Sequence, residues 1–324
     1  MKTSITALVT LLALAGLSFG RLEEVTDFGS NPTGLRMFVE LPLSIINAQK
    51  DDNVSGKPIV VHVSTLKYYQ PHPPTNTTQQ LHSCYSDAFQ ASTEINLPEL
   101  GESLDFILIY PESTRNSNCW DVGSAASLTH NGGGDAGGII SMINHTVTKY
   151  AADKTRIFIL GNSEGGSMTN VLAGSYPDVF AAAASYRGAG FACYAGSAGT
   201  DPKPMNTNQT CAEGIKHTPA QWGAFVRNAY PGYAGARPRM MIVNDVEDTL
   251  VRAQAGYETL TQWAEVLGVT NTANETGKAV EQGPEFTKMI YGTENKLVGY
   301  FGTLEAGKQV KVAVPAVLKF FGLQ

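Results

Sequence analysis

The stretch Arg156-Ile-Phe-Ile-Leu-Gly-Asn-Ser-Glu-Gly-Gly-Ser-Met-Thr-Asn-Val-Leu-Ala173 joins an apolar run, a glycine-rich turn and a helical pattern. A short apolar run of this kind is typical of a buried strand. Residues 161–165 have the spacing G-x-S-x-G, in the strand–turn–helix context that this motif requires. The stretch therefore predicts a strand that turns sharply into a helix, with Ser163 at the turn.

Ser163 is the candidate nucleophile. The turn needs glycine on both sides of the serine, because larger side chains would collide with the neighbouring strand and helix. Such a turn lifts the serine hydroxyl above the sheet and places it at a helix N-terminus. There the amide of Glu164 is a candidate donor to an oxyanion.

Outward from this turn, short apolar runs alternate with helical patterns, which is typical of a parallel sheet covered by helices. We expect an α/β-hydrolase fold with a mostly parallel sheet and helices on both faces. The candidate strands are Arg36–Leu41, Pro58–Val63, Asp105–Tyr110, Arg156–Leu160, Ala181–Tyr186 and Arg239–Val243. The candidate helices are Gly137–Tyr150, Ser163–Tyr176, Pro219–Ala229, Val251–Leu267 and roughly Val310–Phe321. Two long stretches, 68–78 and 188–217, are expected to be loops.

The first twenty residues have the pattern of an export signal. Lys2 gives a positive start, Ile5–Leu17 is mostly apolar, and Ser18 and Gly20 are the small residues of a cleavage site. The apolar run is shorter than the roughly 20 residues of a membrane-spanning helix. Charged residues follow at once, which argues against a buried helix. We expect residues 1–20 to be removed and residues 21–324 to form one secreted domain.

The charge balance bears on the partners of the protein. The net charge is −6, charged residues are 16% of the chain, and no basic cluster stands out. Nucleic acid and anionic membranes are therefore poor candidates. A neutral substrate suits this composition, and we expect a monomer.

An exported chain with four cysteines is expected to form two disulfides. Three pairings are possible, and the local pairs Cys84–Cys119 and Cys193–Cys211 are preferred. No metal-ligand spacing competes with this interpretation. Glycosylation sequons begin at Asn53, Asn76, Asn144, Asn208 and Asn274.

Several further blocks, in addition to the turn at Ser163, resemble the secreted acetyl xylan and feruloyl esterases, relatives of the polyhydroxybutyrate depolymerases. These blocks are Asn118-Cys-Trp-Asp121, His130-Asn-Gly-Gly-Gly-Asp135, Tyr176-Pro-Asp-Val-Phe180, His217-Thr-Pro-Ala-Gln-Trp222 and Tyr230-Pro-Gly-Tyr233. The resemblance runs from about Leu35 to the C-terminus. It implies a serine–aspartate–histidine triad, no metal or organic cofactor, and acylated xylan or a related plant cell-wall polysaccharide as the substrate. Trp120 and Asn162 are the expected substrate contacts, although Trp120 is equally well interpreted as a packed core residue.

The acid of the triad is expected at Asp248. In this fold the acid follows the nucleophile in the chain and the histidine comes last. The family has His-Gly-x-x-Asp here, and Asn244-Asp245 stand in place of His-Gly while Asp248 falls on the acid. Asp245 and Glu247 fit a solvated turn better than a catalytic role.

The histidine of the triad is missing. All six histidines precede Asp248: His62, His72, His82, His130, His145 and His217. The family's C-terminal Gly-His falls on Gly307-Lys308. An ammonium with an ordinary pKa near 10.4 does not accept a proton at neutral pH, although a desolvated lysine does.

The turn after the early strand also departs from the family. The family has a His-x-Cys-x-Gly-like turn that supplies the second oxyanion donor. Residues 62–67 have neither the cysteine nor the glycine. Two hypotheses follow. The protein is a serine esterase with an unusual base such as Lys308, His62, His72 or His82, or it is an inactive relative that keeps the cleft and binds carbohydrate or a protein partner.

Overall fold

The computed structural model describes residues 22–48, 56–63, 87–115, 118–197, 209–283, 285–303 and 312–324. The described residues form ten strands. They are β1 (Glu23–Val25), β2 (Arg36–Glu40), β3 (Ile59–Val63), β4 (Ile107–Glu112), β5 (Ile157–Asn162), β6 (Ala182–Tyr186), β7 (Arg239–Asp245), β8 (Glu275–Lys278), β9 (Phe286–Tyr291) and β10 (Leu297–Gly302).

All ten strands belong to one sheet, in the order β1-β2-β4-β3-β5-β6-β7-β10-β9-β8. The six central strands run parallel to one another: they are β4, β3, β5, β6, β7 and β10. The two strands at each edge pair in antiparallel fashion. Strands β3, β5 and β6 are buried along their whole length. Continuous apolar burial is expected where helices cover both faces of a parallel sheet.

Nine helices accompany the sheet within the described ranges. They are α1 (Leu43–Ala48), α2 (Ala88–Glu94), α3 (Leu97–Leu104), α4 (Gly134–Tyr150), α5 (Glu164–Ser175), α6 (Gln209–Ala212), α7 (Pro219–Ala229), α8 (Ala253–Leu267) and α9 (Val314–Phe321). Of the helices in the described part of the chain, none is long and apolar enough to cross a membrane.

Two apolar cores lie on opposite faces of the sheet. One contains residues of α4, α5 and α8, such as Met142, Leu172 and Trp263. The other contains residues of α2, α3 and α9, such as Leu97 and Phe321. Successive residues of a strand point to opposite faces, so every central strand contributes to both cores. The helices are therefore on both faces, as the sequence predicted.

The predicted strands agree with β2 and with five of the six parallel strands, but miss the parallel strand β10 and the strands β1, β8 and β9. Each of the six candidate strands overlaps an observed strand, and the helix Pro219–Ala229 has the predicted bounds. Strands β1, β8, β9 and β10 were not predicted, nor were helices α1, α2, α3 and α6. The expectation that 188–217 is a loop throughout was wrong, because α6 lies within it. The expected loop at 68–78 falls outside the described residues.

Candidate active site

Ser163 occupies a sharp turn between β5 and α5. Its backbone has φ 58° and ψ −122°, a left-handed conformation that is costly for a residue with a side chain and is most often found at functional sites. The Ser163 N–H donates to the carbonyl of Tyr186, at 2.7 Å. The neighbouring strand β6 therefore holds the strained turn in place.

The glycines of this turn are required by close backbone contacts. A Cβ at Gly161 would lie 2.1 Å from the carbonyl oxygen of Gly165, and a Cβ at Gly165 would lie 2.1 Å from the carbonyl oxygen of Val63. Real Cβ atoms do not approach backbone atoms so closely. The turn therefore has the geometry that the G-x-S-x-G motif predicted.

Asp248 lies at the same edge of the sheet, in the turn after β7. Its side chain is 2% exposed. One carboxylate oxygen, Oδ1, accepts hydrogen bonds from the backbone N–H groups of Leu250 (2.8 Å) and Val251 (3.0 Å). The neighbouring Asp245 instead accepts from the N–H of Glu247, at 3.0 Å. Of the acidic residues in this turn, Asp248 is thus the one held in a fixed, buried position.

The partner of the other Asp248 oxygen was not foreseen from the sequence. Arg187 follows β6, has φ 52°, and its Nε donates to Asp248 Oδ2 at 2.6 Å. The arginine side chain is 16% exposed. Its backbone N–H donates to the carbonyl of Val243 at 2.7 Å. The one available signal was a charged residue directly after an uncharged strand.

A network of charged groups lies beside the turn. Arg115 forms a two-pronged ion pair with Asp135, with Nη2 and Oδ1 2.8 Å apart. Asp135 also accepts the N–H of Asp121, at 2.8 Å. Glu164 accepts the N–H of Trp120 on Oε2, at 3.0 Å. Burial raises the pKa of Glu164 to about 8; the Trp120 N–H opposes this shift and the Asp135 and Asp121 charges add to it.

Both expected substrate contacts are buried. Trp120 is 1% exposed and belongs to the core on the α5 face. A sugar-stacking platform needs an open ring face, so the packed interpretation of Trp120 is the correct one. Asn162, the last residue of β5, is also buried. Its contact with substrate stays a prediction.

Three of the described histidines are buried or pack against aromatic rings. His62 on β3 is buried, burial lowers its pKa to about 4, and its Nδ1 has no hydrogen-bond partner in the part of the chain that the structure describes. His130 stacks on Tyr230, with ring centroids 3.7 Å apart, and His217 meets Trp222 edge-on. The other candidate bases, His72, His82 and Lys308, lie outside the described residues.

Cys193 and Cys211 form a disulfide, which is one of the two preferred pairs. Cys119 is also disulfide-bonded, and Cys84 lies outside the described residues. Of the sequon asparagines, Asn144 and Asn274 are exposed, whereas Asn53, Asn76 and Asn208 lie outside the described residues. The disulfide fixes the segment that follows Arg187.

Known proteins resemble this chain over nearly its whole length. The family described as "Esterase PHB depolymerase" matches residues 75–271. Feruloyl esterase B of Neurospora crassa is 41% identical over 315 residues, which are 97% of this chain and 97% of that protein. Acetylxylan esterase A of Aspergillus ficuum is 36% identical over 305 residues, 94% of this chain and 90% of that protein.

The solved structures give the same result for the fold. The acetyl xylan esterase from Aspergillus awamori has a TM-score of 0.76 and 33% identity, covering 94% of this chain and 100% of that one. The predicted α/β-hydrolase fold is therefore confirmed. Because the family match covers more than half of the chain, the protein belongs to the Esterase PHB depolymerase family.

Proposed function

We propose that the protein is a secreted carboxylic ester hydrolase that releases acyl groups from plant polysaccharide such as acylated xylan, with Ser163 as the nucleophile. The observation that carries this proposal is the strained backbone of Ser163 between two glycines that tolerate no side chain. Strain of this kind persists where function requires it. The relatives named above are esterases of xylan acetyl and feruloyl groups by name.

In the proposed reaction the Ser163 hydroxyl oxygen attacks the ester carbonyl carbon. The amide of Glu164, the first residue of α5, donates to the oxyanion that forms. The sugar alcohol leaves, and water hydrolyses the acyl-serine to release the acid and restore the hydroxyl. Asp248 is the proposed acid and Lys308 the proposed base.

A second candidate function is binding without turnover. The observation in its favour is that both Asp248 oxygens are already engaged, one by two backbone amides and the other by Arg187. On this alternative, Arg187 stands on Oδ2 in place of a histidine. On this alternative the cleft binds carbohydrate or a protein partner.

Assays on p-nitrophenyl acetate, methyl ferulate and acetylated xylan separate the two functions. We expect the parent protein to hydrolyse at least one ester and Ser163→Ala to abolish this activity. Loss of activity in Lys308→Ala as well supports a serine–lysine pair. No activity in the parent, combined with calorimetric binding of xylan fragments, contradicts the esterase and supports the binding function.

Secretion is part of the proposal. It is supported by the apolar N-terminal segment, the sequons and the Cys193–Cys211 disulfide, since disulfides persist in oxidising compartments. Expression in a secreting host should release the protein into the culture medium, with its N-terminus near Arg21. An uncleaved or intracellular product contradicts this part of the proposal.

A further inference from the structure

Ser163, Arg187 and Asp248 follow three neighbouring strands. Strands β5, β6 and β7 are adjacent and parallel, so the residues after them meet at one edge of the sheet. Arg187 comes from the middle strand. It therefore lies between the candidate nucleophile and the candidate acid in the strand order.

The backbone contacts at this edge keep the three residues close together. The Ser163 N–H donates to the carbonyl of Tyr186, the residue directly before Arg187. The Arg187 N–H in turn donates to Val243 on β7. The arginine side chain then turns toward β7, and its Nε meets Asp248 Oδ2 at 2.6 Å.

In a serine–histidine–aspartate site, the aspartate holds an imidazole that takes the serine proton. The Asp248 carboxylate here holds a guanidinium instead. A guanidinium is always protonated in proteins and has no acceptor site. Arg187 therefore satisfies the buried carboxylate and cannot act as the base.

We propose that Arg187 occupies the position of an imidazole between Asp248 and Ser163, and that its side chain keeps an imidazole from using this acid. This inference rests on the proposed role of Ser163 as nucleophile. Arg187 acts through Asp248 and is a positioning residue. Its removal takes the guanidinium away from Asp248 Oδ2, so that an imidazole molecule from solution can take its place.

The test is chemical rescue of Arg187→Ala by imidazole, measured with p-nitrophenyl acetate. Neutral imidazole takes the proton of Ser163 as the oxygen bonds to the acetyl carbon and p-nitrophenolate leaves. The imidazolium then loses its proton to solvent, and neutral imidazole takes a proton from the water that attacks the acetyl carbon. The bond from this carbon to Ser163 Oγ breaks, imidazolium returns the proton to the serine oxygen, and acetic acid is released and ionises. We expect the imidazole-dependent rate to exceed that of the parent by about tenfold or more, because a positioned base contributes on the order of 10²–10⁴.

Three controls isolate the effect. The double variant Ser163→Ala/Arg187→Ala gives the background reaction of imidazole in solution, which is subtracted. Arg239→Ala removes another half-buried arginine, which lies at the start of β7 over the Phe320 ring, and should gain no rate. The rescued rate should fall at acid pH, because imidazolium cannot accept a proton.

Removing one partner of a buried ion pair is strongly destabilising, so Arg187→Gln provides a second variant that keeps an N–H donor for Asp248. Imidazole should raise the thermal midpoint of either variant more than that of the parent. A rescued, serine-dependent rate supports the inference whether or not the parent is active alone. Folded variants whose serine-dependent rate in imidazole stays at the parent value overturn it. Inactivity of the parent without imidazole bears on the proposed function only.

Discussion

The carboxylate of Glu164 accepts a hydrogen bond from the backbone N–H of Trp120, with the two atoms 3.0 Å apart. Glu164 directly follows Ser163, so this bond joins the residue after the nucleophile turn to the loop before α4. Burial raises the pKa of Glu164 to about 8. At neutral pH the side chain is therefore mostly protonated. Within the described ranges, charged or titratable groups that act on it include Arg115, Asp121, Asp135 and Tyr194.

Glu164→Gln should make stability less dependent on pH. The pKa of Glu164 is above its unfolded value of 4.5 in the folded state, so the folded protein binds a proton that the unfolded chain loses. The contribution of Glu164 to stability is then greatest below pH 4.5 and falls as the pH rises to about 8. Glutamine does not titrate, so the variant should lack this fall in the free energy of unfolding, which is on the order of a few kcal/mol. Urea unfolding at pH 5 and pH 8.5 measures the difference.

Glu40→Gln is the matched control for this prediction. Glu40 on β2 is buried, and burial together with Glu99 and Glu102 raises its pKa to about 7. Glutamine here should also flatten the stability profile, between about pH 4.5 and 7. It should leave ester hydrolysis unchanged, whereas Glu164→Gln should change the pH profile of hydrolysis. Identical hydrolysis profiles for both variants contradict a role of Glu164 at the turn.

Gly165→Ala should disrupt the nucleophile turn. The new Cβ would lie 2.1 Å from the Val63 carbonyl oxygen, and a backbone atom cannot move aside as a side chain does. We expect a loss of more than about 3 kcal/mol, above the usual cost of overpacking. Urea unfolding and the yield of folded protein measure it.

The control for this variant is Gly277→Ala on β8. A Cβ at Gly277 would meet nothing within 4 Å, and the strand is exposed. Alanine should therefore be neutral or stabilise by about 0.4–1 kcal/mol through the unfolded state. A Gly165→Ala protein as stable as Gly277→Ala would show that the turn relaxes easily.

Asn170 and Trp263 should be energetically coupled. Trp263 Nε1 donates to Asn170 Oδ1 at 2.8 Å, and both residues are fully buried. The Asn170 amide nitrogen is 3.0–3.1 Å from its acceptors on α5, on β6 and at Ala189. Asn170→Ala leaves several buried groups unpaired and should cost about 3 kcal/mol.

The Asn170→Ala/Trp263→Phe cycle measures that coupling by urea unfolding. The tryptophan donor is removed in the second variant, so the double variant should be more stable than additivity predicts, by about 1–2 kcal/mol. Strict additivity would mean that the bond contributes no net stability. The cycle is independent of catalysis and tests only how α5 is fixed to α8.

Five of the six parallel strands could be predicted from the sequence because each is largely buried and mostly apolar, whereas the parallel strand β10 was missed although it is buried at every position. Strand β5, for example, is observed at Ile157–Asn162 and was predicted at Arg156–Leu160. Strand β8 is exposed at every position and reads Glu-Thr-Gly-Lys, so it has no apolar pattern. Such an edge strand forms through pairing with β9, and pairing partners are not encoded locally.

In the candidate site, too, the local feature could be predicted from the sequence and the contacts between distant residues could not. The turn at Ser163 is local and carries its own glycine signature, so the sequence predicted its shape. The ion pair between Arg187 and Asp248 joins residues 61 apart, and it depends on the adjacency of β6 and β7. The burial of Trp120 likewise depends on the fold. No local pattern distinguishes a core tryptophan from an exposed one.

Removing the Cys193–Cys211 disulfide should lower stability by about 3 kcal/mol, as expected for a loop of this length. The bond ties the segment after Arg187 to α6. Gln262 holds the same segment, because its Oε1 accepts from the N–H of Phe191 at 2.7 Å and its Nε2 donates to the carbonyl of Phe191 at 3.0 Å. The segment should therefore stay in place without the disulfide. Cys193→Ala/Cys211→Ala should therefore have a lower urea midpoint. Its rate of p-nitrophenyl acetate hydrolysis, measured with and without imidazole, should equal that of the parent. An unchanged midpoint would show that the Gln262 contacts alone restrain the segment.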